Sequence, residues 1–255
     1  MIDIKKAKEE FNNYIKNYNP EDPHVKIKIS HIGRVTKIAR ETAEYLNLDE
    51  EDIDLAELIG LLHDIGRFEQ VKRYHTFIDK NSINHGQLGV KILFEDNLIR
   101  KFIEDDKYDE IIRKAISNHN CLKIEDGLNK RELLHAKLIR DSDKTDIFYS
   151  LINDDIKAIY GSYDISNELI SDEIYMEFIK DKRINYDNMR TGPDILLSHF
   201  AYIFDFNYDY GLQIFRKNKY VEKLYDRFHF NDEQTSEKYR NIYEITIKYM
   251  NDRLN

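Results

Sequence analysis

Apolar residues along this chain recur at intervals of three and four, and no segment alternates convincingly at two. A polypeptide with that period buries its apolar surface by packing helices side by side. The turn residues agree: three prolines and nine glycines in 255 residues are too few to punctuate a many-stranded sheet protein. The fold class expected is therefore all-α. Ser30 is a candidate N-cap for a helix running to about Leu46, with Ile32, Val35, Ile38, Ala39, Thr42, Ala43 and Leu46 at helical spacing. A second helix is expected from about Glu51 to Asp64, carrying Ile53, Ala56, Leu58, Ile59, Leu61 and Leu62. The acidic run Asp49 to Asp52 complements its N-terminal dipole, and Gly66 is placed to stop it. Asn84 is positioned to cap a helix through roughly Phe94, Tyr108 to His119 carries a stripe of isoleucines, and another helix covers about Lys130 to Ile152. Helical periods return over roughly 172–182, 193–206, 209–229 and 235–252.

No fixed-period repeat, low-complexity tract or Pro/Gly/Ser-rich linker divides the chain, so residues 1–255 read as one all-helical unit. Tyrosines of the C-terminal third cluster beside Phe200, Phe204, Phe206, Phe215 and Phe228. On helices such a stripe reads as core packing, here a layer expected against the first five helices, rather than a cofactor box. A net charge of −9 argues against broad binding to nucleic-acid backbone. A lone cysteine, Cys121, cannot close a disulfide within the chain, and no apolar run reaches the ~20 residues of a membrane span. Residues Met1 to Lys6 lack the apolar core of a secretion signal, so cytoplasmic residence without a membrane partner is the expectation.

The chemistry gathers at Gly60-Leu61-Leu62-His63-Asp64-Ile65-Gly66-Arg67, where a histidine and an aspartate follow directly on a buried apolar run. Burying an ionised carboxylate costs several kcal/mol unless it is paired or bound to a cation, and a metal ion meets that need. A His-Asp doublet alone would equally suit a hydrogen-bonded structural pair. His31 and Asp143 add to it. Together His31, His63-Asp64 and Asp143 resemble the His, His-Asp, Asp series of the HD superfamily over about residues 25–150, leaving about 151–255 as a C-terminal helical extension packed on that core.

That resemblance implies a helical bundle and a metal-dependent phosphohydrolase. His85, in Asn84-His85-Gly86-Gln87, and His119, in Ile116-Ser117-Asn118-His119, resemble the further ligand motifs of subfamilies that bind two metals, with Asp64 bridging the pair. Helical periodicity leaves Asp141 and Asp143 both open as the last ligand; the resemblance selects Asp143. It also implies substrate-phosphate contact for Arg67 and, more weakly, for Lys144. His24, His75, His135, His199 and His229 match no ligand motif and read as structural or surface histidines.

Imidazole and carboxylate ligands suit one or two ions of Mn, Fe, Co, Ni or Zn better than Ca²⁺. Such an ion lowers the pKa of bound water toward ~7, and a second stabilises the opposing oxygens of a displacement at phosphorus. The expected partner is a small phosphorylated molecule, with nucleotides among the candidates. The residues after His119, Asn120-Cys121-Leu122-Lys123, depart from the cyclic-di-GMP hydrolase signature. Arg67-Phe68 stands where alarmone hydrolases carry Glu-Asp, and the positions typical of dNTP triphosphohydrolases are missing. Two alternatives accompany the phosphohydrolase. The ligand set also resembles that of HD-type mixed-valent di-iron oxygenases, and the scaffold could serve as a noncatalytic ligand sensor, although a sensor has no chemical need for six intact ligand positions.

Overall fold

The computed structural model describes residues 2–154 and 164–255; residues 155–163 of the expected extension lie outside them. All regular structure among the described residues is helical, and none of it is strand. The chain divides into two compact units, Met1–Asp143 and Lys144–Asn255.

In the first unit, α1 (Ile4–Ile15) starts where the Asp3 carboxylate accepts the Lys6 N–H at 2.9 Å, and it buries Ala7 and Phe11. Helix α2 (Pro23–Tyr45) begins about two turns before Ser30. The stronger start is Asp22-Pro23, because the Asp22 carboxylate accepts the His24 N–H at 2.8 Å and proline presets φ for the first turn. His31 therefore lies well inside α2, on the face that buries Val25, Ile32, Val35 and Ala39, instead of at a helix start. Helix α3 (Glu50–Leu62) is capped by Asp49, which accepts the Asp52 N–H at 2.9 Å, with Glu50, Glu51 and Asp52 in its first turn. Every residue from Leu55 to Leu62 is buried, Glu57 included, and Lys8 and Arg40 pair with that glutamate at 2.5 and 2.9 Å. A Cβ on Gly60 would lie 2.9 Å from the Thr36 Cα, so the missing side chain lets α2 and α3 cross closely just above His31 and His63.

Gly66 does not end α3. The chain turns at His63-Asp64 and enters α4 (Ile65–Tyr74) at once, placing Gly66 inside the new helix. Its role is close packing: a Cβ there would stand 2.3 Å from the His85 carbonyl oxygen and 2.7 Å from the Gly89 nitrogen of α5 (His85–Val90). Asn84 caps α5 by accepting the Gln87 N–H at 2.9 Å, and a wider π-type turn continues it over Lys91–Glu95. Short α6 (Ile99–Phe102), then α7 (Asp109–Asn118) and α8 (Lys130–Asn153) follow.

The second unit comprises, besides the end of α8, α9 (Asp172–Asp181), α10 (Gly192–Ala201), α11 (Asp209–Asn218), α12 (Tyr220–Arg227) and α13 (Glu233–Leu254). The single helix expected over 209–229 is two, because Lys219 adopts φ 55° and ends α11 in a left-handed cap. Its aromatics form a core within the unit, in which Phe148, Phe178, Phe200 and Phe215 are fully buried. No helix among the described residues is long and apolar enough to cross a membrane.

Candidate metal centre

Four elements of the first unit aim side chains at one point. α2 contributes His31, the α3–α4 turn His63 and Asp64, the start of α5 His85, and the end of α7 His119, all buried. His31, His63 and Asp64 offer ligand atoms all within 4.8 Å of one another, and so do Asp64, His85 and His119. Asp64 belongs to both groups, through different oxygens. Its Oδ2 lies 3.5 Å from His31 Nε2 and 3.7 Å from His63 Nε2, while Oδ1 lies 3.4 Å from His85 Nε2 and 3.6 Å from His119 Nε2. Asp143, on α8, approaches the first group, with Oδ1 3.1 Å from His31 Nε2 and 3.8 Å from His63 Nε2. Asp141 is also buried, two residues back on the same helix.

The tautomers follow from the partners of the other ring nitrogens. Nδ1–H of His63 donates to the Gly60 carbonyl at 2.8 Å, that of His119 to the Ile116 carbonyl at 2.6 Å, and that of His85 to Asp79 Oδ2 at 2.6 Å. A carbonyl can only accept, so in the neutral rings of His63 and His119 it is Nε2 that presents a lone pair to the interior. Two such nitrogens, on His85 and His119, face each other at 3.0 Å beside Asp64 Oδ1, a buried oxygen with no hydrogen-bond partner among the described residues. Lone pairs gathered this way repel unless a cation lies among them. Ligands around a single ion at ~2.0–2.1 Å are ~2.9–3.4 Å apart, and the spacings here fall in that range or a few tenths of an ångström beyond it. The donor set fits a divalent transition ion in either group.

Burial pushes His63 down to about 4 and His85 down to about 3, the latter helped by the Arg67 charge against the pull of Asp79. For Asp64 burial favours the protonated acid, but Lys28 first, then His63, His119 and His85, hold the carboxyl well below its usual range. Asp143 is likewise lowered, its burial outweighed by the hydrogen bond from His31. Neutral imidazoles beside ionised carboxylates are the protonation states a metal requires.

Several contributors escaped the sequence reading. Lys28, one turn before His31, donates to Asp64 Oδ2 at 2.6 Å. Asp79, in the segment between α4 and α5, accepts from His85, from Arg67 Nη1 at 3.0 Å, from Gln70 at 2.9 Å and from Asn120 at 3.2 Å. Such an acceptor orients the ring and raises its basicity toward a metal. Arg140, buried on α8, donates to the carbonyls of Asn118 at 2.9 Å, His119 at 3.5 Å and Cys121, closing the end of α7 that carries His119. Only Lys28 had a signal, its one-turn offset from His31. Arg67 keeps Nη1 on Gln70, Asp79 and the Phe77 carbonyl, with Nε 3.7 Å from Asp64 Oδ1. Lys144 is in the second unit with its ammonium on the Asp205 carboxylate. His135, buried near the start of α8, bonds Asp52 at 2.9 Å.

The HD domain family model matches residues 29–147. No curated protein and no solved structure matches the chain.

Proposed function

Since residues 29–147 form an HD domain, a fold whose members are generally metal-dependent hydrolases, we propose that this chain hydrolyses a phosphoester or phosphoanhydride of a small phosphorylated molecule. The observation that carries the reading is Asp64, whose two oxygens each face a pair of imidazoles and whose Oδ1 is buried without a hydrogen-bond partner among the described residues. That arrangement supports two divalent ions, one of which His31, His63, Asp64 and Asp143 would hold and the other Asp64, His85 and His119. Bound there, divalent ions would supply Lewis acidity toward the phosphoryl oxygens and a water acidic enough to attack at neutral pH. Mn, Fe, Co, Ni and Zn all suit these donors.

The chain's own residues supply the rest. Asp64, ionised in its folded surroundings, orients the attacking water. Arg67, pinned through Nη1, offers Nε to a phosphoryl oxygen and offsets charge that develops there. Asp79 keeps His85 in one tautomer. Incubation of the metal-reconstituted protein with nucleotides and model phosphoesters tests the reading: phosphate release by the wild type, absent in His63→Ala and Asp64→Ala variants of unchanged helical content, is the result expected. Unchanged turnover in either variant, or substrate-dependent oxygen consumption without phosphate release, refutes it.

A further inference from the structure

Phe77, between α4 and α5, has two cations over its ring: Lys28 Nζ lies 5.4 Å and Arg67 Cζ 5.5 Å from the centroid. The same two cations divide Asp64 between them. Lys28 donates to Oδ2, the oxygen facing His31 and His63, while Arg67 Nε lies 3.7 Å from Oδ1, the oxygen facing His85 and His119. Each half of the site thus has its own cation. Lys28 and Arg67 expose only 16% and 15% of their side-chain surface, so both charges act where water screens them poorly. Arg67 is fixed through Nη1 yet leaves Nε buried without a hydrogen-bond partner among the described residues, a preset donor.

We propose that Lys28 and Arg67 form a two-armed clamp, straddling Asp64 against Phe77, that binds a dianionic phosphate monoester end group in preference to the monoanion of a phosphodiester. The proposal deepens the hydrolase reading and rests on it. Oxygen count favours the monoester. Its three non-bridging oxygens can engage both ions and both arms together, whereas a diester offers two. Charge favours it as well: two divalent ions with Lys28 and Arg67, set against Asp64, Asp79 and Asp143, leave an excess of about three positive charges. A dianion together with an attacking hydroxide cancels that excess, and a diester leaves one charge uncompensated. Lys28 need not abandon Asp64 to take part, because its ammonium has three donors, one for the carboxylate and others for the ligand.

Calorimetric titration of the metal-reconstituted full chain with inorganic phosphate and with dimethyl phosphate, at a pH where phosphate is dianionic, reads the clamp without turnover. Phosphate is expected to bind at least about 10-fold more tightly than dimethyl phosphate. Lys28→Gln, which keeps the stem and one donor but removes the charge, is expected to weaken phosphate about 10- to 100-fold with little change for dimethyl phosphate, and Lys28→Arg to restore most of it. Equal binding of the two probes by the wild type overturns the clamp and needs no variant; so does a folded Lys28→Gln protein with wild-type phosphate affinity. Hydrolysis of diesters with monoesters inert refutes the clamp and leaves the hydrolase standing. No phosphate binding and no turnover of either class sinks both.

Discussion

Replacing Gly66 with alanine puts two effects in opposition, and the structure says which wins. Gly66 lies inside α4, where alanine gains about 1 kcal/mol in helix propensity. The new Cβ, however, would stand 2.3 Å from the His85 carbonyl oxygen and 2.7 Å from the Gly89 nitrogen, against ordinary contact from 3.4 Å. Both obstacles are backbone, so no side chain can swing away and α5 must retreat by about 1 Å. Overpacking of this kind costs typically 1–3 kcal/mol, which meets or exceeds the propensity gain. The larger consequence falls on the metal site. His85 is the first residue of α5, and metal ligands tolerate displacement of about 0.2 Å, several times less than the retreat required. Gly66→Ala is thus expected to melt up to about 8 °C below the wild type and to lose at least 10-fold in affinity for the ion on the His85–His119 side, while the His31–His63 side keeps its own. Calorimetry and competitive metal titration check both halves. An alanine variant as stable as the wild type that still binds two equivalents with native affinity would refute the packing argument.

Asp79→Asn removes the charged acceptor of His85 Nδ1–H and should weaken the same ion about 10- to 100-fold, measured by chelator competition, with little effect on the other. Arg140→Met strips a donor from the carbonyls of Asn118, His119 and Cys121; urea unfolding should report a loss of about 2–4 kcal/mol. In chelator-stripped protein, His63 and His85 protonate only near 4 and 3 when folded but near ~6.5 when unfolded, so the unfolded state takes up more protons in between. Stability is therefore full above pH 6.5 and falls as pH drops toward 4; urea midpoints that hold constant from pH 7.5 to 5 would contradict this.

Helices are legible in the sequence where the signal is local. The apolar run to Leu62 announces α3, and a histidine and an aspartate at its inner end stand out because burial there needs compensation. Asn84 as a cap and the isoleucine stripe of α7 are local signals too. Where two signals compete, local reading fails. Ser30 has the chemistry of a cap, but Asp22-Pro23 starts α2 earlier, and Gly66 has that of a stop, while its closeness to α5 is a long-range fact. Helix α1 buries only Ala7 and Phe11 among charged neighbours, too sparse a stripe to notice, and α4 begins so soon after α3 that its Ile65, Phe68 and Val71 were hidden by the assumed stop. Asp79 sits in a segment without period, and its importance comes entirely from partners brought to it by the fold.

Anomalous diffraction at the absorption edge of the reconstituted metal bears most directly on the centre itself. The account predicts two peaks roughly 3.5–4 Å apart, one on either side of the Asp64 carboxylate, the first against His31 and His63 and the second against His85 and His119. Saturated protein with no density between those histidines, or with its ions bound elsewhere on the chain, would contradict it.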